Sequence, residues 1–150
     1  MRLPKQVLII PYRIKDENVQ FCIFKRKDLE FWQWISGGVE DFDENLYAAA
    51  KREIFEETGV DSNLELTQLE CITKIPVVYI VKEFRWGNDI FYADEYSFSV
   101  KFDNIDIVLS DEHSLYSWMS FEEAKKLLKY DSNKSALWEL NEKIKRGIIK

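Results

Sequence analysis

Residues 38–60, GVEDFDENLYAAAKREIFEETGV, constrain this chain more than any other part of it, because they prescribe a glycine turn, a helix and a dense group of carboxylates in succession. From Asp43 or Glu44 onward, Leu46, Ala49, Ala50 and Ile54 recur at helical spacing, and Gly59 stands where a helix-ending glycine is expected. One face of the helix therefore belongs to a core. Glu53 and Glu57 lie one turn apart on a common face, with Glu56 within a turn of both. Two such charges 4 Å apart repel by about 1 kcal/mol in water and by about 4 kcal/mol at an effective dielectric of 20. A helix that needed only solubility would intersperse lysines, whereas a bound cation removes the conflict. Hard oxygen donors suit Mg²⁺, Mn²⁺ or Ca²⁺, and Mg²⁺ commonly joins a few carboxylates to substrate phosphates. The bland alternative is a surface helix with an acidic stripe and a glycine cap.

The spacing of Gly38, Glu44, Arg52, Glu53, Ile54, Glu56, Glu57, Gly59 and Val60 resembles the Nudix box, G-x5-E-x7-R-E-U-x-E-E-x-G-U, at every specified position. Upstream FWQWISGGVE and downstream EHSLYSWMSFEEAKKLLKYDSNKSALWEL are similar to the branch of that family acting on dihydroneopterin triphosphate and dATP, so the likeness covers most of the chain.

KQVLIIPY and VQFCIFKR are β-rich runs joined by the polar turn KDEN, which predicts an antiparallel pair near the N-terminus. Lys25, Arg26 and Lys27 close the second strand and either meet substrate phosphates or form a solvated strand end. A short aromatic strand then delivers Ser36, Gly37 and Gly38, where glycines permit unusual dihedrals and close backbone approach to a ligand. Trp32 and Trp34 point to one face, to stack on a base or to pack in the core. After the box, a long β-rich region from Leu64 to Trp86 is interrupted by Pro76, and Gly87, Asn88 and Asp89 turn it into a second strand through Phe102. In that strand Tyr96, Phe98, Val100 and Phe102 share one face and Glu95 and Ser97 the other. An acidic loop over 103–114, a strand LYSWM, a capping box at Ser120 and Glu123, and a last helix from Asp131 or Ser132 complete the chain. Leu137, Trp138, Leu140 and Ile144 are expected as its buried stripe. Strands on both sides of a central helix, with terminal helices, predict an α+β sandwich with a mixed sheet. The resemblance implies the same, an α/β/α sandwich around a loop-helix-loop motif, as one domain over residues 1–150.

Hydrophobic residues at 46% and aromatics at 15% suffice for one sizeable core. A net charge of −6 opposes the nonspecific phosphate contacts that hold long nucleic acids, which points to small anionic partners met through a metal and a few local cations. Cys22 and Cys71 lie in apolar stretches without a C-x-x-C pairing, so free thiols and a cytoplasmic location are expected. Nothing in the chain approaches a membrane span. A homodimer is compatible with these features.

What the resemblance implies for the site is specific. Mg²⁺, with Mn²⁺ as a substitute, would be held by Glu53, Glu56 and Glu57, helped by backbone at Gly38, and would activate a water for in-line attack on phosphorus. Arg52 would pair with Glu44 or Glu53 and hold loop and helix together. Lys25, Arg26, Trp34, Ser36 and Gly37 are candidate substrate contacts. A carboxylate outside the box would complete the site, with Glu112 favoured over Glu95 because a loop brings an extra ligand more readily. His113 is expected as a partly exposed loop residue without a catalytic role. The expected reaction is hydrolysis of a nucleoside or pterin triphosphate to a monophosphate and pyrophosphate. Pro76 keeps ADP-ribose open as a substrate, and a nucleotide-sensing module without turnover is the non-enzymatic alternative.

Overall fold

A computed structural model describes residues 1–28, 30–61 and 63–150. The opening hairpin pairs β1 (Arg2–Lys15) with β2 (Asn18–Arg26) in antiparallel register. Its two-residue turn places Asp16 at φ 51° and Glu17 at φ 67°, the left-handed pair whose twist matches the flanking strands. The chain continues through β3 (Trp32–Gln33), β4 (Ile35–Glu40), α1 (Leu46–Thr58), β5 (Leu66–Pro76) and the single turn α2 (Val77–Ile80). It ends with β6 (Tyr92–Lys101), β7 (His113–Met119), α3 (Phe121–Leu127) and α4 (Asp131–Lys145).

Among the described residues the strands form one seven-stranded mixed sheet in the order β3-β2-β1-β6-β5, with β4 on β1 and β7 on β2. β1 and β6 run parallel, and the other neighbours are antiparallel. Strand periodicity sorts the core. Val7 and Ile9 enter one layer with Ala49, Ala50 and Ile54 of α1 and with Phe98 and Val100. Leu8 and Ile10 enter the opposite layer with Trp34 and with Leu137 and Leu140 of α4. The sheet is thus sandwiched between α1 and the terminal helices, the predicted α+β architecture.

Four expectations change in detail. Gly37 and Gly38 form no turn but pair with Val7 and Gln6 within β4. The β-rich run after the box ends at Pro76, and 77–80 coil into a helical turn, with Val77 N–H bonded to Phe91 O at 2.8 Å rather than to a sheet neighbour. Lys82 at φ 62° takes the chain on through the connection. His113 opens β7 opposite Arg26 of β2 and is not part of a loop. Trp138 is exposed and Glu139 takes the buried place instead.

The reason for the last is a register shift between Gln68 and Ile72 where β5 meets β6. It leaves the N–H groups of Glu70 and Cys71 without a ladder partner, and Glu139 accepts both, at 2.6 and 2.8 Å, while Lys143 Nζ binds it at 2.7 Å. Burial works to raise this carboxyl's pKa, and the two backbone donors and Lys143 more than reverse it, so the pKa lies below the usual value. A depressed carboxyl contributes stability that is present above the unfolded-state value of about 4.3 and is lost as pH falls through the folded value. Glu139→Ala is expected to remove about 3 kcal/mol of stability at pH 7, since two backbone donors are left unpaired. A urea titration should show a lower midpoint at unchanged slope, with the deficit shrinking below about pH 4. A midpoint equal to the parent's would mean that Glu139 does not secure these strands.

Candidate active site

The acidic helix is held at both ends by its own chain. Asn45 caps it by accepting the Ala48 N–H at 2.9 Å, and Gly59 at φ 73° returns its N–H to Phe55 O at 2.8 Å. Ala49, Ala50 and Ile54 pack on the sheet. That docking turns Glu53 and Glu57 into the protein, at 7% and 4% exposure, and leaves Glu56 at the surface. Gly37 and Gly38 serve by their lack of a side chain: a methyl group at Gly37 would strike the Glu53 carboxyl, and one at Gly38 would strike the Arg2 guanidinium. Neither has positive φ, so room and not dihedral freedom is what these positions require.

Arg52 uses all of its donors. It makes five hydrogen bonds: Nε and Nη2 grip Asp43 at 3.1 and 2.8 Å, Nη2 reaches Gly38 O at 2.9 Å, and Nη1 reaches Glu53 at 2.9 Å and Glu56 at 3.3 Å. The expected pairing with Glu53 is present, and the expected alternative, Glu44, is corrected to Asp43. The loop before Asn45 folds Asp43 back, its N–H to Glu40 O at 3.0 Å and its carboxylate to Glu40 N–H at 2.8 Å, which leaves Glu44 exposed outside.

Glu57 is bound differently. Its Oε2 lies 2.6 Å from Nδ1 of His113 and accepts the Ser110 hydroxyl at 3.0 Å. His113 is buried at 4% exposure, which corrects the expectation of a partly exposed loop histidine: pairing with β2 carries its ring inward against Phe24. Residues 108–112 are stitched to the end of α1 by Val108 N–H to Thr58 O at 2.9 Å and Ser110 N–H to Glu57 O at 3.2 Å. That brings the Glu112 carboxyl to face Glu57. Burial raises the pKa of Glu112, and the Glu57 charge adds to it. Burial also acts on Glu57, but His113 and Ser110 hold it below the usual carboxyl value.

Glu53 is pushed up to about 7, first by burial and then by the charge of Glu56, although Arg52 pulls the other way. The site therefore holds more negative charge than its own cations offset. Among the described residues no three His, Cys, Asp or Glu side chains are already gathered closely enough to enclose an ion. The donor set of Glu53, Glu56, Glu57 and Glu112 is nonetheless all hard oxygen with an uncompensated charge, which fits a divalent cation such as Mg²⁺ or Mn²⁺.

Glu53, Glu56 and Glu112 border a cleft of about 620 Å³, whereas Glu57, buried against His113, does not line it. Of the predicted residues, Arg26, Ser36, Gly37, Gly38, Arg52, Glu53, Glu56 and Glu112 line it, and so does Glu95. Lys25 does not, because strand alternation puts it on the face of β2 opposite Arg26. Trp34 is corrected from substrate contact to core: it is fully buried, its Nε1 donating to Asn133 O at 3.0 Å and its backbone N–H to Asn133 Oδ1 at 3.1 Å. Arg2 and Gln6, which also line the cleft, escaped the sequence reading because nothing in the pattern marks an N-terminal strand residue as part of a site.

Residues 3–139 match the sequence model of the NUDIX domain. The chain is 27% identical over 135 residues to a dihydroneopterin triphosphate diphosphatase of Haemophilus influenzae, covering 89% of this chain and 84% of the relative. It is 30% identical over 132 residues to a mouse bis(5'-nucleosyl)-tetraphosphatase (asymmetrical), covering 87% and 84%. A crystal structure of a NUDIX hydrolase from Listeria monocytogenes superposes with a TM-score of 0.88 at 37% identity over 99% of both chains.

Proposed function

The chain belongs to the Nudix family and is a Nudix pyrophosphohydrolase, and from that premise we propose that it hydrolyses a nucleoside or pterin triphosphate to the monophosphate and pyrophosphate. The observation that carries this reading is the group of Glu53, Glu56 and Glu112 lining a cleft large enough for a nucleotide or pterin ring. Glu53, Glu56, Glu57 and Glu112 would hold Mg²⁺, which when bound supplies charge neutralisation at the pyrophosphate and acidifies a water. Arg52 fixes the end of β4, which carries Gly38, against α1, so that this backbone and the carboxylates meet the same phosphates. Arg26, in the cleft and paired with Asp28 at 2.8 and 2.9 Å, offers the cationic contact to the leaving phosphates. Ser36 and Gly37 line the same wall.

Products are identified with Mg²⁺ present: a monophosphate and pyrophosphate from dATP, dGTP or dihydroneopterin triphosphate, AMP and ribose 5-phosphate from ADP-ribose, and ATP and AMP from diadenosine tetraphosphate. Inactivity on the triphosphates would sink the reading. The last compound is included because the 30% identical mouse relative is a dinucleoside tetraphosphatase, and asymmetric products from it alone would favour that reaction.

Glu112 supports the role of the carboxylate outside the box better than Glu95, since it faces Glu57 whereas Glu95, on β6, is bound to Gln6 at 2.7 Å. Glu112→Gln is expected to lower kcat at least about tenfold, a barrier increase of about 1.4 kcal/mol, and to raise the Mg²⁺ concentration needed for half-maximal rate. Wild-type behaviour of this variant in both respects would remove Glu112 from the site.

A further inference from the structure

Glu95 is a buried carboxylate that the proposed reaction does not use, 5% exposed yet lining the cleft. Strand register places Gly38, Gln6 and Glu95 side by side across β4, β1 and β6, so their side-chain positions share one face of the sheet. Arg2 Nη2 donates to Gln6 Oε1 at 3.0 Å and Gln6 Nε2 donates to Glu95 Oε2 at 2.7 Å. These two bonds settle the orientation of the Gln6 amide and make Oε2 an acceptor. Oε1 is buried without a hydrogen-bond partner among the described residues, although the Ser132 hydroxyl at the start of α4 lies close enough to favour the charged carboxylate. A buried carboxylate oxygen left unpaired is costly, and a ligand that brings N–H donors removes the cost.

Position tells what that ligand is. Gly38 and Glu95 are two strand spacings apart, about 10 Å, so a substrate with its phosphates at Gly38 and Glu53 extends its ring to Glu95. Leu8, two residues along β1 from Gln6, and Ile75, opposite Ala93 on β5, are on the same face and line the same cleft as apolar walls. We propose that Glu95 reads the ring of the substrate by accepting hydrogen bonds from two adjacent donors, the ring N–H and the 2-amino group that guanine and pterins share. This deepens, and rests on, the reading that the cleft holds a nucleoside or pterin triphosphate. Adenine presents an amino group beside a ring-nitrogen acceptor, whose lone pair would face a carboxylate oxygen, so adenine is disfavoured.

The test separates ring recognition from hydrolysis. Binding of dGMP, neopterin monophosphate, dAMP and dIMP is measured by calorimetry on the wild type and Glu95→Gln, and kcat/KM is measured for dGTP, dihydroneopterin triphosphate and dATP. The wild type should bind dGMP or neopterin monophosphate at least about tenfold tighter than dAMP and dIMP, the last lacking only the 2-amino group. Whichever of the two binds tighter identifies the ring. In Glu95→Gln, Gln6 draws the amide oxygen to itself and the amino group turns to the ring, so kcat/KM for the favoured triphosphate should fall about 30-fold, mostly through KM. Turnover of dATP should hold or rise, because the amide N–H₂ removes the repulsion of the adenine ring nitrogen, and a thermal melt equal to the parent's shows that the variant is folded. Ring preference that Glu95→Gln erases supports the inference even where no triphosphate is hydrolysed, and in that case only the reaction assignment fails. Equal or tighter binding of dAMP by the wild type, or an unchanged preference in Glu95→Gln, overturns the inference even with full hydrolysis.

Discussion

Glu57→Gln is expected to leave a folded protein whose kcat has dropped by about 10³-fold, a barrier increase of about 4 kcal/mol. Glu57 is the member of the acidic group whose charge is secured by the protein: His113 at 2.6 Å and the Ser110 hydroxyl at 3.0 Å keep its pKa below the usual value against the effect of burial. Glu53, in contrast, is held near 7 and gains a full charge only with a cation beside it. The amide of the variant keeps the size of the side chain and one oxygen to accept the Ser110 hydroxyl, and α1 and residues 108–112 stay joined through their backbone bonds. What it loses is the anionic oxygen, and a neutral amide is a weaker donor to a hard divalent ion. The check is kcat as a function of Mg²⁺ together with a thermal melt. Near wild-type rates at low Mg²⁺ would show that Glu57 has no part in holding the ion, and a collapsed melt would show that its pair with His113 serves the fold.

Arg52→Lys should prove nearly as damaging, although charge is conserved. The guanidinium spends its five N–H groups on Asp43, Gly38 O, Glu53 and Glu56, partners that lie on two different segments. An ammonium has three donors around one point and no fork, so it cannot hold Asp43 with two bonds and still reach Gly38 and Glu53. The Asp43 side chain is only 4% exposed, which leaves a buried anion partly unpaired. The end of β4 that carries Gly38 then loses its register to α1, and displacement of about 1 Å is enough to cost about 100-fold in rate. We expect a kcat lower by about 100-fold and stability lower by about 2 to 3 kcal/mol, read from turnover and urea titration. A variant within threefold of the parent in rate and equal in midpoint would mean that the network is incidental.

Much of this site is legible in the order of the residues. The period of Leu46, Ala49, Ala50 and Ile54 decides which face of α1 meets the sheet, and that decision gathers Glu53 and Glu57 without reference to the remainder of the chain. The capping box at Ser120 is equally local, and both of its bonds are present at 3.0 and 3.2 Å. The corrected expectations share a cause of the opposite kind. Glu44 yielded to Asp43 because a loop fold, not a spacing, selects which carboxylate turns inward. Trp34 went to the core because α4 closes over that face of the sheet and offers Asn133 to its indole N–H.

The sequence alone determined the chemistry, since carboxylates repeated at helical spacing can converge on one volume through short-range geometry that four or five residues encode. Tertiary structure decided which charges are compensated and by whom. His113 reaches Glu57 only because β7 pairs with β2, Gln6 reaches Glu95 across 89 positions because β1 and β6 run parallel in that register, and Glu139 is buried because a register shift bares two N–H groups. Each of these is a consequence of strand register, which depends on how whole strands bury their apolar faces and leaves no local period for a sequence to display.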